Sequence, residues 1–283
     1  MSSAEGQNVN DLTKLLIVVI FSALICSSVE LYFFLALPIY VTINGSFTDG
    51  RAHWDLLTYY GNSSFSVSLD VENEIYNGCP YKVSFALRRC ETYTPNMDDI
   101  WFKIFQNVAS HPLTKSTKVT LKLLLKQTDL ELLINQSDAT FIYVGFMLQD
   151  KTEKQKYFCI YGWTINGLNS DKIKITPETF KDLKYWTILD IEELQVDLSE
   201  GLELSFERYV WPDIVNKTIP IDNSWHIKNG VELGFMIWNL NLDENETLTI
   251  RLNCFDITYR WPVIYSILNQ EPIDLNFTNP SVN

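Results

Sequence analysis

The sequence predicts an α+β, strand-dominated protein: an N-terminal transmembrane anchor followed by two tandem antiparallel-sheet units with one helix each. Three observations predict it. An apolar run at residues 15–43 is long enough to cross a bilayer, alternating apolar and polar segments fill the rest of the chain, and one series of landmarks recurs twice in the same order. The rival fold is a pair of all-β sandwiches, which fails if residues 95–108 are helical.

The run 15–43, LLIVVIFSALICSSVELYFFLALPIYVTI, contains a single charge, Glu30. A bilayer core about 30 Å thick needs roughly 20 apolar residues in a helix, so the run is long enough to span it. The alternative is a cleaved signal peptide, with Cys26, Ser27 and Ser28 at the cleavage site and a secreted glycoprotein as product. Against cleavage, Lys14 is offset by Glu5 and Asp11, which removes the positive start of a signal peptide. Lys14 and Arg51 flank the run and give no orientation. Six glycosylation acceptor patterns, at Asn44, Asn62, Asn135, Asn216, Asn245 and Asn276, all follow it. They predict a type II single-pass protein with a cytosolic tail at residues 1–14 and a lumenal or extracellular remainder. Glu30 is costly inside a bilayer, and its predicted role is docking onto a polar or basic group of another membrane subunit.

A formal charge of -13 and a pI near 4.7 exclude a phosphate-backbone partner, which needs clustered Lys and Arg. Four cysteines follow the run, Cys79, Cys90, Cys159 and Cys254, and an even number predicts two disulfides of open connectivity. A local Cys79–Cys90 bridge requires a turn, because one straight strand would hold the two about 36 Å apart, against the roughly 7 Å a bridge allows.

After a linker at residues 44–63, the first unit is expected at 64–148 and the second at 149–270, with a tail at 271–283. SFSVSLDV alternates as a half-buried strand does, and after the turn VENEIYNG it is followed by CPYKVSFAL, which completes a hairpin. Thr94-Pro95 supplies a helix cap, with Asp98 and Asp99 at the positive end. Met97, Ile100, Trp101, Ile104, Phe105 and Val108 then fall on one helical face, which should end at His111-Pro112. KVTLKLLL, LELLI, TFIYVGFML and QKYFCIYGWTI read as strands, with a turn at QDKTEK. The landmarks then repeat. Cys159 echoes Cys79, Thr176-Pro177 restarts a capped helix with Phe180, Leu183 and Trp186, and Leu202 lies as far before Asn216 as Leu121 does before Asn135. Gly234-Phe-Met repeats Gly145-Phe-Met, and Cys254 closes the series.

No catalytic signature is present: G-x-S-x-G, H-E-x-x-H, G-x-G-x-x-G, a phosphate loop and an EF-hand loop are all missing, and no cofactor is expected. Metal ligation is not expected either, since there is no C-x-x-C pair and His53, His111 and His226 are isolated. Only His226, in DNSWHIKNG, sits in a segment where function could live, and it reads as a solvent-exposed loop residue. The carboxylate pairs Asp98/Asp99, Glu192/Glu193 and Asp243/Glu244 read as solvated. Trp101 and Trp186 read as core, while Trp211 and Trp225 are the candidates for an exposed aromatic surface. The expected function is non-enzymatic: an ectodomain that binds protein partners or serves as an accessory subunit of a membrane complex. The alternatives are a lumenal carbohydrate-active enzyme, and a lectin or small-ligand carrier, which would need a concave pocket.

Overall fold

The structure, a computed structural model, describes residues 16–28, 37–60, 65–90, 98–152, 154–165, 186–217, 219 and 224–260. The chain divides into two compact units, one of residues 1–39 and 260–283, the other Tyr40–Tyr259. In the first, residues 16–28 form helix α1.

The larger unit holds two sheets, with strands numbered in chain order. A six-stranded sheet runs β11 (Leu202–Tyr209), β7 (Lys118–Leu125), β13 (Thr247–Tyr259), β4 (Cys79–Arg89) and β3 (Phe65–Tyr76), with β1 (Ile39–Tyr40) beside β13. A seven-stranded sheet runs β10 (Trp186–Glu193), β9 (Lys156–Ile165), β8 (Ala139–Gln149), β12 (His226–Leu240), β5 (Asp98–Gln106) and β2 (Asp55–Tyr60), with β6 (His111–Pro112) beside β12. Along both paths the neighbours are antiparallel except β10, which runs parallel to β9. Two short helices, α2 (Gln127–Gln136) and α3 (Val210–Asn216), complete it.

The sheets share an aromatic core. Phe85 of β4 meets Phe102 of β5 and Phe235 of β12 at 5.1 Å each, and these last two stack at 4.9 Å. Further along, Phe206 of β11 meets Tyr161 at 5.2 Å and Trp163 at 4.7 Å, both on β9. All are buried except Phe206, which is half-buried, and each fully buried apolar side chain stabilises the fold by about 2 kcal/mol. The architecture is a β-sandwich.

The α+β expectation is therefore corrected. Residues 98–106 form strand β5, so the rival all-β reading survives the test set for it. The helical signal was genuine but misleading: Ile100, Phe102 and Ile104 point into the core while Trp101 and Phe105 cover the other face. A strand apolar on both faces imitates helical spacing, because period 2 with both parities filled contains i, i+3, i+4. The caps at Thr94-Pro95 and Thr176-Pro177, with Phe180 and Leu183, lie outside the described residues. Trp186 opens strand β10.

The two tandem units are corrected as well, because strands from both halves of the chain interleave in each sheet. Two strand–helix–strand passages explain the recurring landmarks: β7–α2–β8 and β11–α3–β12 each leave the six-stranded sheet, form a helix and enter the seven-stranded one. LELLI, expected as a strand, lies in α2, where Leu130 and Leu133 are buried and Asp129 accepts from the Thr249 N–H (2.9 Å) and Arg251 Nη1 (2.8 Å).

Among the described residues no helix is long and apolar enough to cross a membrane. The single-pass anchor over 15–43, the membrane partner and the type II localisation are corrected accordingly. Glu30, the expected docking residue, lies outside the described residues.

All five cysteines are free, so the two expected disulfides are corrected too. The reason is topological. Cys79 opens β4 and Cys90 follows its end, the straight-strand case that keeps them far apart. Cys159 lies on the other sheet, fully buried, and burial pushes its thiol far up; burial likewise raises Cys254 to about 11.

Candidate functional site

Because Phe102 and Phe235 point between the sheets, the residues next to them on β5 and β12 point away from the core. Register then builds the outward face of the seven-stranded sheet: Tyr143 opposite Gly234 opposite Lys103, and Phe141 opposite Met236 opposite Trp101. Phe141, Tyr143, Phe158, Ile160 and Met236 form a buried apolar cluster there. Three glycines make room for it. A Cβ would lie 2.3 Å from the Tyr143 ring at Gly234, 2.4 Å from Phe141 at Gly162 and 2.2 Å from Phe158 at Gly145. The rings lie across bare backbone.

One polar network crosses this face. Trp101 Nε1 donates to the Tyr143 hydroxyl at 3.1 Å, which donates to Glu232 Oε1 at 3.0 Å. Lys103 Nζ reaches Glu232 Oε2 at 2.6 Å and lies 5.5 Å from the Trp101 ring centroid. Both oxygens of Glu232 are engaged.

The same face continues to the end of the sheet, where Gln149 follows Met147 in the outward parity and pairs with His226. Here β12 bulges between Ile227 and Val231, with Asn229 at φ 70 and Gly230 beside it. Bulges re-aim side chains next to binding sites. Asn229 fixes the bulge by donating from its N–H to the Val108 carbonyl (3.2 Å) and from Nδ2 to Gln149 Oε1 (3.2 Å). Against the bulge folds the β8–β9 turn, in which Asp150 accepts from the Gln155 N–H at 3.0 Å and from the Thr152 hydroxyl. The Thr152 hydroxyl first, then the Gln155 N–H, hold the Asp150 carboxyl below the usual carboxylate range.

These pieces border a half-open cavity of about 280 Å³ lined by Ser110, Gln149, Asp150, Lys151, His226 and Lys228. Gln149 is 1% exposed, and its Nε2 has no hydrogen-bond partner. His226 Nδ1 lies 2.8 Å from the Ser224 carbonyl, which only accepts; the proton therefore sits on Nδ1 and Nε2 is left for other contacts.

Of the residues singled out in the sequence, only His226 belongs to this cavity. Trp225 is 3% exposed and packs on Tyr157 at 5.6 Å, so it is core and not an exposed aromatic surface; Trp211 is half-buried in α3. Trp101 is half-buried on the outward face. Asp99 accepts from the Asn239 N–H at 3.1 Å, and Asp243 donates its N–H to Glu246 at 2.9 Å. Among the described residues no group of three or more His, Cys, Asp or Glu is placed to hold a metal. Asn135 and Asn216 fall in the last turns of α2 and α3, and Asn245 in the β12–β13 turn, all exposed. Asn44 differs: its Nδ2 donates to the Gly50 and Ala52 carbonyls at 2.9 and 3.1 Å. Asn62 and Asn276 lie outside the described residues. Gln149, Lys151, Lys228 and Ser110 escaped the sequence reading because they come from three distant segments; Asn229-Gly230 was the one local hint of a bulge.

No protein-family model and no curated protein matches the chain. Solved structures do resemble it. One is described as a study of carbohydrate-binding modules of the β-sandwich superfamily, at TM-score 0.38 and 7% identity, covering 75% of this chain and 60% of that one. A second is a carbohydrate-binding module specific for non-crystalline cellulose, at TM-score 0.36 and 14% identity, covering 77% and 94%. A third is endoglucanase 3 of Trichoderma harzianum, from glycoside hydrolase family 12, at TM-score 0.36 and 10% identity, covering 74% and 99%. The structural neighbours are thus carbohydrate-binding modules and glycoside hydrolases, and this chain spans three-fifths of the length of the first.

Proposed function

We propose that the chain is a non-catalytic binding protein that holds one small polyhydroxylated ligand, a sugar unit, in the cavity between the β12 bulge and the β8–β9 turn. The observation that carries this reading is Gln149 Nε2, a buried donor without an acceptor. Leaving such a group unpaired costs about 1–3 kcal/mol, and a ligand oxygen supplies the missing partner. Amide, imidazole, hydroxyl, carboxylate and ammonium groups together line the cavity, a mixture of donors and acceptors that suits hydroxyls, which do both. At about 280 Å³ the cavity is at the small end of ligand sites, which run about 300–1,000 Å³, so it favours a single ring or chain end.

Titration calorimetry of the full chain against a panel of monosaccharides tests this. At least one sugar should bind with a millimolar or tighter constant and weaken about tenfold in Gln149→Leu, a variant whose fold is checked by circular dichroism. If no sugar in the panel binds, the reading is wrong.

A further inference from the structure

Two groups in the cavity have a hydrogen-bonding sense that the fold itself fixes. Asn229 Nδ2 donates to Gln149 Oε1 at 3.2 Å, which leaves the other end of the amide, Nε2, as a buried donor without a partner. The Ser224 carbonyl takes the Nδ1–H of His226 at 2.8 Å, so Nε2 of the neutral ring can only accept. One is a donor and the other an acceptor. Register sets them side by side: His226 of β12 lies directly opposite Gln149 of β8, which holds their Cβ atoms about 4.5–5.5 Å apart on one face of the sheet. Both line the cavity. The other lining groups impose no such condition. The Ser110 hydroxyl rotates to suit its partner, lysine ammoniums ride on flexible stems, and the Asp150 carboxylate accepts from its own loop.

We propose that one hydroxyl of the ligand bridges Gln149 Nε2 and His226 Nε2, accepting from the amide and donating to the ring, and that this pair determines which sugar is held. This rests on the sugar-site reading above and names the residues that recognise the sugar. A hydroxyl oxygen does both things at once. An ether or carboxylate oxygen at the same point satisfies Gln149 but turns a lone pair toward that of His226. An ammonium satisfies His226 and leaves Gln149 Nε2 without an acceptor. Either mismatch weakens binding by about tenfold or more, so the position has to carry a free hydroxyl.

The test compares the tightest-binding monosaccharide of the panel with its monodeoxyfluoro counterparts, titrated against the full chain at about pH 8, where an ordinary imidazole is neutral. Fluorine fills the place of a hydroxyl but cannot donate. Replacement at one ring position should weaken binding at least tenfold. His226→Phe keeps a flat ring and removes the acceptor, so it should bind that fluoro sugar and the parent sugar with equal affinity. A second measurement uses the unaltered chain and stands even where the variant does not fold. The chain has three histidines, and long-range proton–nitrogen NMR spectra should show the proton of His226 on Nδ1, with the Nε2 resonance shifting when the parent sugar is added. A proton on Nε2 of the free protein, fluoro sugars that all bind as the parent does, or a His226→Phe variant that still discriminates tenfold overturns the bridge. The sugar site stands in each of these cases as long as the parent binds and weakens in Gln149→Leu. If no sugar of the panel binds, both readings fall.

Discussion

Lys103 and Glu232 face each other on a surface crowded with rings, each with little of its side chain exposed. Removing one partner of such a pair leaves a desolvated charge, so Lys103→Met should lower stability by about 3–5 kcal/mol in urea denaturation. Replacing both, as Lys103→Met with Glu232→Leu, should recover most of that loss, since apolar packing substitutes for the pair. His111 acts through pH. Burial lowers its pKa below the ordinary 6.5, so the unfolded chain binds a proton that the folded one resists. Stability therefore holds above that value and falls as pH drops through it. Melting temperatures measured from pH 7.5 to 5 should decline, and less steeply in His111→Gln. Asn44 is a third case. Its amide closes the loop to Gly50 and Ala52, and a Cβ on the adjacent Gly45 would sit 1.8 Å from Asp256 Oδ1, so the segment has no room to rearrange. Expressed through a secretory host, the protein should show glycans at Asn135, Asn216 and Asn245 and none at Asn44 by glycopeptide mapping. A glycan on Asn44 of the folded protein would contradict this geometry.

Elements were legible where one face alone is wet or where flanking turns bound an apolar run. SFSVSLDV and CPYKVSFAL become β3 and β4, paired antiparallel with Ser68 opposite Ala86, and TFIYVGFML and QKYFCIYGWTI become β8 and β9. Two elements were misread for opposite reasons. In β5 the outward face carries Trp101 and Phe105 beside Asp99 and Lys103, so the alternation is blurred. In α2 the leucine run carries a strand-like signal, but Asp129 anchors one helical turn to Arg251 and the Thr249 N–H, a contact made across 120 residues of chain. Glycines are what let the outward aromatic cluster form. Gly234→Ala should drive the Tyr143 ring from its place and break its bonds to Trp101 and Glu232, with a loss of about 2–4 kcal/mol in thermal or urea unfolding.

The whole molecule is an interleaved sandwich, which predicts how it fails when cut. β8 lies between β9 and β12, and β7 between β11 and β13, so each half of the chain owns strands whose neighbours lie in the other half. Fragments divided between residues 148 and 149 should each lack cooperative unfolding by circular dichroism, although the sequence pattern gives each a strand set of its own. The sequence by itself determined the strand richness, most strand positions and the absence of familiar catalytic motifs, because these follow from local alternation and residue type. It also marked His226, though not what it joins. Tertiary structure alone decided that residues 98–106 are extended, that two repeated passages belong to one sandwich, that the cysteines stay apart, and that Ser110, Gln149 and Lys228 meet. Sheet neighbours are chosen by burial and hydrogen bonding across the whole chain, and no local window of residues contains that choice.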